Sequence, residues 1–478
     1  MTAPRRHSIV VGAGLAGLVA ADMLAGRQGG SDHQVTVVEP TGRVGGVLGT
    51  VTADGWLVER SADCFLAARP EAVELVERLG LASELIGVEP QARRALIWHA
   101  GRAVPAPAGF RLMAPGRMGA IVTTPLLSLA GRARLLWERF VPVRSPGGGD
   151  DDESLAQFAV RRLGREAFDR LVQPLASGIW TADPARLSMA AACGDFLAME
   201  RESGSLWVGE RARLRRQAGA AEASGARYGQ FVTLSSGMET LPRKLAENLR
   251  TRGVRFVTGS VTALSRADDG RWRVEGSCLD AATATADSVA ITAPAHVAAR
   301  IVGQLDRALA HELAGIDYAG SCIVSLGFAR DQVAHPLDAA GMVIPRVAGR
   351  RILAVSFSSS KFPRRAPPGC VLMRVFVGGA LDPGAMELSD DELVALCRGE
   401  VGTLLGARGE PKLTRVERWS HAMPQYHVGH VARVARITAA VARHPGLGLA
   451  GAAYTGVGIP QVIASGRAAA RQAERSLG

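Results

Sequence analysis

Cysteine is scarce and scattered in this chain. Six cysteines in 478 residues, none spaced C-x-x-C, exclude a disulfide-stapled scaffold and suit a reducing cytosol. Histidine is also sparse; His421, His427 and His430 cluster without metal-ligand spacing, so no metal is expected. No apolar run reaches the roughly 18 to 20 residues of a membrane span. The first candidate, behind Arg5 and Arg6, is broken by Gly12, Gly14, Gly17 and Asp22, which argues against a targeting signal. Aromatic residues make up 5% of the chain and form no basic-aromatic stripe, so nucleic acid is not an expected partner. Lysine occurs only at Lys244, Lys361 and Lys412, leaving arginine to supply nearly all of the net charge of +11. Such an excess attracts anionic substrates and anionic lipid headgroups. A GC-rich genome would produce the same arginine bias.

What is present begins with a strand, a glycine turn and a helix. Ser8 to Val11 reads as a buried strand, and Gly12-Ala13-Gly14-Leu15-Ala16-Gly17 fits G-x-G-x-x-G before a run of helix formers. Gly12 permits the tight turn, Gly14 lets the main chain approach a pyrophosphate, and Gly17 lets helix pack on strand. The helix start then offers free N–H groups to the phosphates. A second apolar strand, Val35 to Val38, ends in Glu39, whose carboxylate can accept hydrogen bonds from a ribose diol. Arg43 and the doublet Gly45-Gly46 follow, resembling the continuation in flavin-binding oxidoreductases, so the expected dinucleotide is FAD. Near the other end, LGLAG, YTGVGIP and a helix from about Pro460 repeat the logic. Gly456 and Gly458 leave space for the backbone to meet a flat ring, the helix start that follows faces its electron-rich edge, and Val457, Gly458 and Ile459 are the candidate contacts. Two such turns at opposite ends imply a discontinuous FAD domain.

Between them, ESLAQFAVRRLGREAFDRLVQPL carries apolar residues at helical spacing, with Ser154 or Asp152 as cap, after a connection at Gly147 to Gly149. Strand patterns return in RFVTGSVTALSR, RWRVEG and SVAITAP, and again in CIVSLGFA, AGMVIP, ILAVSFSS and VLMRVFVGGA. The fold expected is α/β, with a Rossmann-like FAD domain in three pieces (1–95, 226–295 and 416–478), a helical subdomain (96–225) and a β-rich substrate domain (296–415).

The chain resembles the FAD-dependent protoporphyrinogen oxidases over nearly its whole length. The resemblance rests on the fingerprint, on LASGIWTADPARLSMAAACGDFLAMERESGSL, on FVTLSSGMETLPRKLAENL, on W-x-x-A-x-P-Q-Y-x-x-G-H beginning at Trp419, and on YTGVGIPQVIASGRAAA. It implies FAD contacts at Val261 and Trp419, and side chains at Ala340, Val343 and Phe376 that clamp a tetrapyrrole over the flavin. It further implies six-electron oxidation of protoporphyrinogen IX to protoporphyrin IX by dioxygen, with peroxide as by-product and no side-chain acid or base in the hydride step. Coproporphyrinogen III is the near alternative substrate. An amine oxidase, a desaturase or a non-catalytic flavoprotein are further ones. The last cysteine is Cys397, so the flavin is expected to be non-covalent, and few lysines are available to sit beside it. The helical part implies peripheral contact with an anionic membrane from the cytoplasmic side, and a homodimer is considered. Three departures stand out: Ser61 and Ala62 where relatives commonly have glycine and proline, Ala452-Ala453 in the terminal motif, and Ala340 where relatives often have phenylalanine.

Overall fold

The computed structural model describes residues 6–26, 33–144, 152–218, 231–277, 279 and 284–474. The connection at Gly147 to Gly149 lies outside them.

The first sheet is built from segments far apart in sequence. Its five parallel strands run in the order Arg255–Thr258, His33–Glu39, Arg6–Val11, Ser288–Ile291, Leu447–Leu449. Ile9, Val10, Val37, Val38, Val289 and Ile291 are buried, as a parallel sheet covered on both faces requires. The chain leaves Arg6–Val11 toward one side and later fills the other with Ser288–Ile291, so the topological switch point falls at Gly12, where such sheets bind ligands. Helix Leu15–Leu24 packs against the last helix, Ile459–Glu474, at very close range. A Cβ on Gly466 would stand 2.4 Å from the Ala16 carbonyl oxygen. This contact closes the end of the chain onto its beginning.

The segment RFVTGSVTALSR splits. Arg255–Thr258 joins the parallel sheet, while Val261–Arg266 pairs with Trp272–Gly276 in a small antiparallel sheet.

The second large sheet has seven strands in the order Leu413–Pro424, Tyr318–Ala329, Cys370–Gly378, Ile352–Ser356, Gly341–Val343, Ala95–His99, Arg102–Pro105. All neighbours are antiparallel except Gly341–Val343 with Ala95–His99. One face, with Leu96, Val324, Met342, Val355 and Val375, packs with Leu393, Cys397 and Val401 of helix Asp390–Leu405. The hairpin at 95–105 was expected within the helical subdomain, and the strand ending at Pro424 was expected to divide at 415. Both belong to this sheet, because their partners lie more than 200 and about 90 residues away and no local pattern reports them.

The helical unit gathers Phe158, Leu163, Leu171, Val172, Phe196 and their neighbours into its own core. Ser154 caps helix Leu155–Leu163 in a reciprocal capping box with Gln157. Asp152 serves a different helix start, accepting from Ser188 Oγ at 2.6 Å and from the Ala190 amide at 3.2 Å. The amphipathic run read as one helix breaks at Gly164, whose φ of +89° ends the first piece. It resumes through a π-helical turn, Phe168–Val172, into helix Gln173–Trp180.

Candidate cofactor cradle and active site

Two glycine loops meet at the switch point. Gly12 has a φ of +105°, and a Cβ there would come within 2.8 Å of Thr292 Oγ1. A Cβ on Gly17 would stand 1.9 Å from the Gly12 carbonyl oxygen, so only glycine lets this helix start fold onto its own turn. Gly14 differs: a Cβ there would meet only the Gly46 Cα, at 3.9 Å, leaving an open approach to its backbone. Gly45 donates to the Ala13 carbonyl at 2.8 Å, joining the two loops. Helix Leu15–Leu24 starts at Gly14 without a side-chain cap, so its first amides are available to an anion. Glu39 accepts from the Ala13 amide at 2.9 Å and from the Thr41 hydroxyl at 2.7 Å, and a carboxylate keeps lone pairs beyond these. Arg43 braces the second loop, donating to the Leu48 carbonyl at 3.0 Å and to that of Gly46. Val261 is buried in one cluster with Val11 and Val38, two residues beyond Gly259, whose amide donates to the Glu39 carbonyl at 3.1 Å.

The terminal loop closes from another side. Ala450 donates to the Ile291 carbonyl at 3.0 Å, and Gly456 turns at φ +146° ahead of the helix beginning at Ile459. Val457 packs on the helical core and Ile459 on the core of the first sheet, so Gly458 sits between two units. Tyr426 stacks on His430 at 4.2 Å and donates its hydroxyl to the Ala452 carbonyl. Burial pushes His430 down to about 4, so its ring is neutral. Among the described residues no group of three or more His, Cys, Asp or Glu is placed to hold a metal.

The other face of the seven-stranded sheet is largely covered, with Ile97 and Val343 packed on the helical core. Pairing register puts Ile97, Val343, Ala354, Phe376, Ile323 and Glu417 in one row across six strands. Val343 and Phe376 therefore share a face, as cross-strand neighbours do. Ala340 is buried just before its strand, three residues from Val343, and so out of phase with that row. Trp419 belongs to this sheet, its indole donating to the Arg60 carbonyl at 2.9 Å.

The loop Ser61 to Cys64, carrying the Ser-Ala departure, joins cradle and sheet. Ser61 Oγ donates to the Val47 carbonyl at 2.6 Å, next to the second glycine loop. Arg374, two residues from Phe376 on the same strand, donates to the Ser61 carbonyl and lies 3.5 Å from Asp63. Lys361 Nζ reaches both Asp63 oxygens at 3.1 Å and Cys64 Sγ at 3.2 Å. Burial opposes charge on Asp63, but Lys361 and Arg374 outweigh it and hold the carboxyl well below its usual range. Burial also opposes charge on Lys361, and Asp63 outweighs it in turn, raising the ammonium's pKa. Burial, then Asp63, pushes the Cys64 thiol up to about 12, so it stays neutral. Asp63, Lys361 and Arg374 were not singled out from sequence. A signal existed, since Lys361 is one of three lysines and stands among Phe357, Phe362 and small residues.

The open backbone at Gly14, the uncapped helix start and the spare acceptors of Glu39 fit a dinucleotide. The family model for flavin containing amine oxidoreductases matches residues 15–473. The chain belongs to that family. It is an FAD-dependent oxidase of the flavin amine oxidase fold, and FAD is its cofactor. A coproporphyrinogen III oxidase of Bacillus subtilis is 33% identical over 99% of both chains. Protoporphyrinogen oxidase 1 of Arabidopsis thaliana is 27% identical over 95% of this chain and 85% of its own. A crystal structure from Exiguobacterium sp. 255-15, carrying a provisional protoporphyrinogen oxidase designation, superposes with a TM-score of 0.83 at 28% identity, covering 98% of this chain and 99% of that one. Cyclohexylamine oxidase from Brevibacterium oxydans shares the fold at a TM-score of 0.69 and 17% identity, covering 99% of this chain and 100% of its own.

Proposed function

We propose that this flavoenzyme oxidises a porphyrinogen to a porphyrin with dioxygen as terminal acceptor. The observation carrying the reading is the end-to-end similarity to the Bacillus subtilis coproporphyrinogen III oxidase. Coproporphyrinogen III is favoured over protoporphyrinogen IX because the relatives at 33% and 34% identity bear that name, whereas the plant protoporphyrinogen oxidases lie between 26% and 29%. Bound FAD supplies the hydride acceptor. Gly12 to Gly17 and Gly45-Gly46 hold its pyrophosphate, Glu39 its ribose, Val261 its adenine and Val457 to Ile459 its ring edge. Val343 and Phe376 offer an apolar surface that orients a flat macrocycle and excludes water. Three two-electron steps convert one porphyrinogen and three dioxygen molecules into one porphyrin and three of hydrogen peroxide.

A second reading concerns the membrane. No helix among the described residues is long and apolar enough to cross one. Val122, Leu129, Trp137 and Phe140 are nevertheless exposed on the helical unit beside the exposed Arg139, a composition suited to lying on an anionic surface. Cosedimentation with anionic but not neutral vesicles, lost in Trp137→Ser/Phe140→Ser, tests it.

The principal test is aerobic turnover of FAD-loaded protein with coproporphyrinogen and protoporphyrinogen, each against an enzyme-free control, following porphyrin fluorescence and peroxide. Faster porphyrin formation from coproporphyrinogen is expected. No acceleration with either substrate overturns the reading.

A further inference from the structure

Lys361 and Arg374 bring two positive charges to the seam between cradle and sheet, and among the described residues Asp63 is the only acid within ion-pair distance of either. Arg365, also buried, stands nearby and spends its donors on the carbonyls of Leu234 and Ser235. Hydrogen bonding at Arg374 is incomplete as well. Among the described residues its Nε has no partner, nor do the hydroxyls of Ser325 and Ser356, its register neighbours on either side, or that of Ser358. Keeping charge out of water costs several kcal/mol per ion unless an opposite charge answers it. Here one carboxylate pairs directly with two cations; at longer range Glu59 is a second buried acid and Arg365 a third buried cation, so cations still outnumber acids.

The position of this excess matters. Ser61, gripped by Arg374 through its carbonyl, is tied through its hydroxyl to Val47, beside Gly46, which lies against Gly14. The strand carrying Arg374 also presents Phe376 on the same face. The cluster therefore stands where the cofactor cradle gives way to the apolar row. Two electrons and one proton added to an oxidised flavin ring leave it with one negative charge, and a nearby buried cation lowers the energy of that form.

The geometry points to Lys361 and Arg374 as a buried positive site that favours the reduced, anionic state of the bound flavin. This rests on FAD binding and not on the porphyrinogen reading. A clamp that merely joins two sheets would make the same contacts, so the test must read charge rather than stability.

The reduction potential of bound FAD would be measured by dye-coupled titration in the wild type, Lys361→Met and Lys361→Arg, together with affinity for sulfite, whose flavin adduct is also anionic. For Lys361→Met the preference for the reduced state is expected to fall about tenfold, equivalent to about 30 mV for a two-electron couple, with sulfite affinity falling in parallel. Lys361→Arg should stay within about threefold of wild type in both. If Lys361→Met does not fold, Lys361→Gln, which retains a donor toward Asp63, is read the same way. An unchanged potential with only a lower Tm overturns the proposal, as does an equal shift in the methionine and arginine variants. Neither measurement uses a porphyrinogen, so failure of the substrate reading would appear separately, as absent turnover with these shifts intact.

Discussion

Arg162 in the helical unit and Arg374 at the seam are 0% and 1% exposed, yet their surroundings differ. Arg162 donates to the Glu138 carboxylate twice, and to the carbonyls of Val141 at 2.8 Å and Gly204 at 3.0 Å. Glu138 also accepts from Ser205 Oγ at 2.6 Å and from the Leu206 amide at 2.8 Å. Glu200 adds a second acid within 3.4 Å of Arg162, and Arg161 bridges Glu200 to Glu153. Arg144, 3.6 Å from Glu153, brings the count to three arginines against three acids, and the Arg162 guanidinium is saturated. At the seam cations outnumber acids and several polar atoms lack partners. A saturated buried network holds helices in place, whereas an unsaturated one beside a ligand site is suited to respond to what binds or reacts there.

The largest expected effect falls on the saturated side. Glu138→Ala leaves Arg162 charged, buried and without its main partner, which should cost about 3 to 5 kcal/mol of folding stability in urea or thermal unfolding. Flavin potential should not follow, because no hydrogen bond or ion pair among the described residues joins this network to the Ser61 to Cys64 loop. A near-neutral Glu138→Ala would remove the saturated half of the contrast.

Glu59 tests the other side. It is buried beside the seam, accepting from the Met238 amide at 2.9 Å and the Thr50 hydroxyl at 2.8 Å, yet burial outweighs these bonds and raises its pKa from 4.5 to about 7. A carboxyl with a raised folded-state pKa gives its full contribution below about pH 4.5 and loses it as pH rises through about 7. Glu59→Gln removes that loss. The variant should match wild type in pH dependence below 4.5 and gain on it up to about 3 kcal/mol above pH 7, measured as unfolding free energy at pH 5 and pH 8. A gap that does not widen with pH would mean that Glu59 is ionised in the folded protein throughout this range.

Neither network announces itself in the sequence, and the reason is separation. Lys361 meets Asp63 across 298 residues, and Arg374 meets Ser61 across 313. Local pattern does report what local physics decides. The glycine fingerprint, the acid ending the second strand and the terminal turn and helix each follow from steric or capping needs within a few residues, and they stand where those needs place them. The strand of AGMVIP is equally legible, but not its partner, since Gly341–Val343 pairs with Ala95–His99 on one side. Gly164 is the one local sign of the break in ESLAQFAVRRLGREAFDRLVQPL: a glycine within an apolar helical pattern ends the helix when the chain takes a positive φ, as here.

The finest test of the contrast uses one substitution in each region. Ser205→Ala removes a hydroxyl bonded to the Glu138 carboxylate and should cost about 1.5 to 3 kcal/mol, the range for a hydrogen bond to a charged group. Ser325→Ala removes a hydroxyl that is as deeply buried and has no partner among the described residues. No bond is lost with it, and an unpaired buried oxygen goes, so stability should change by less than about 1 kcal/mol, on the stabilising side. Opposite signs from the same chemical change at equal burial would show that satisfaction, not burial, separates the two networks. A clear loss in Ser325→Ala would mean that its hydroxyl has a partner in solution, such as bound water. Such water would screen Lys361 and Arg374, so the positive excess at the seam would be smaller than the charge count implies.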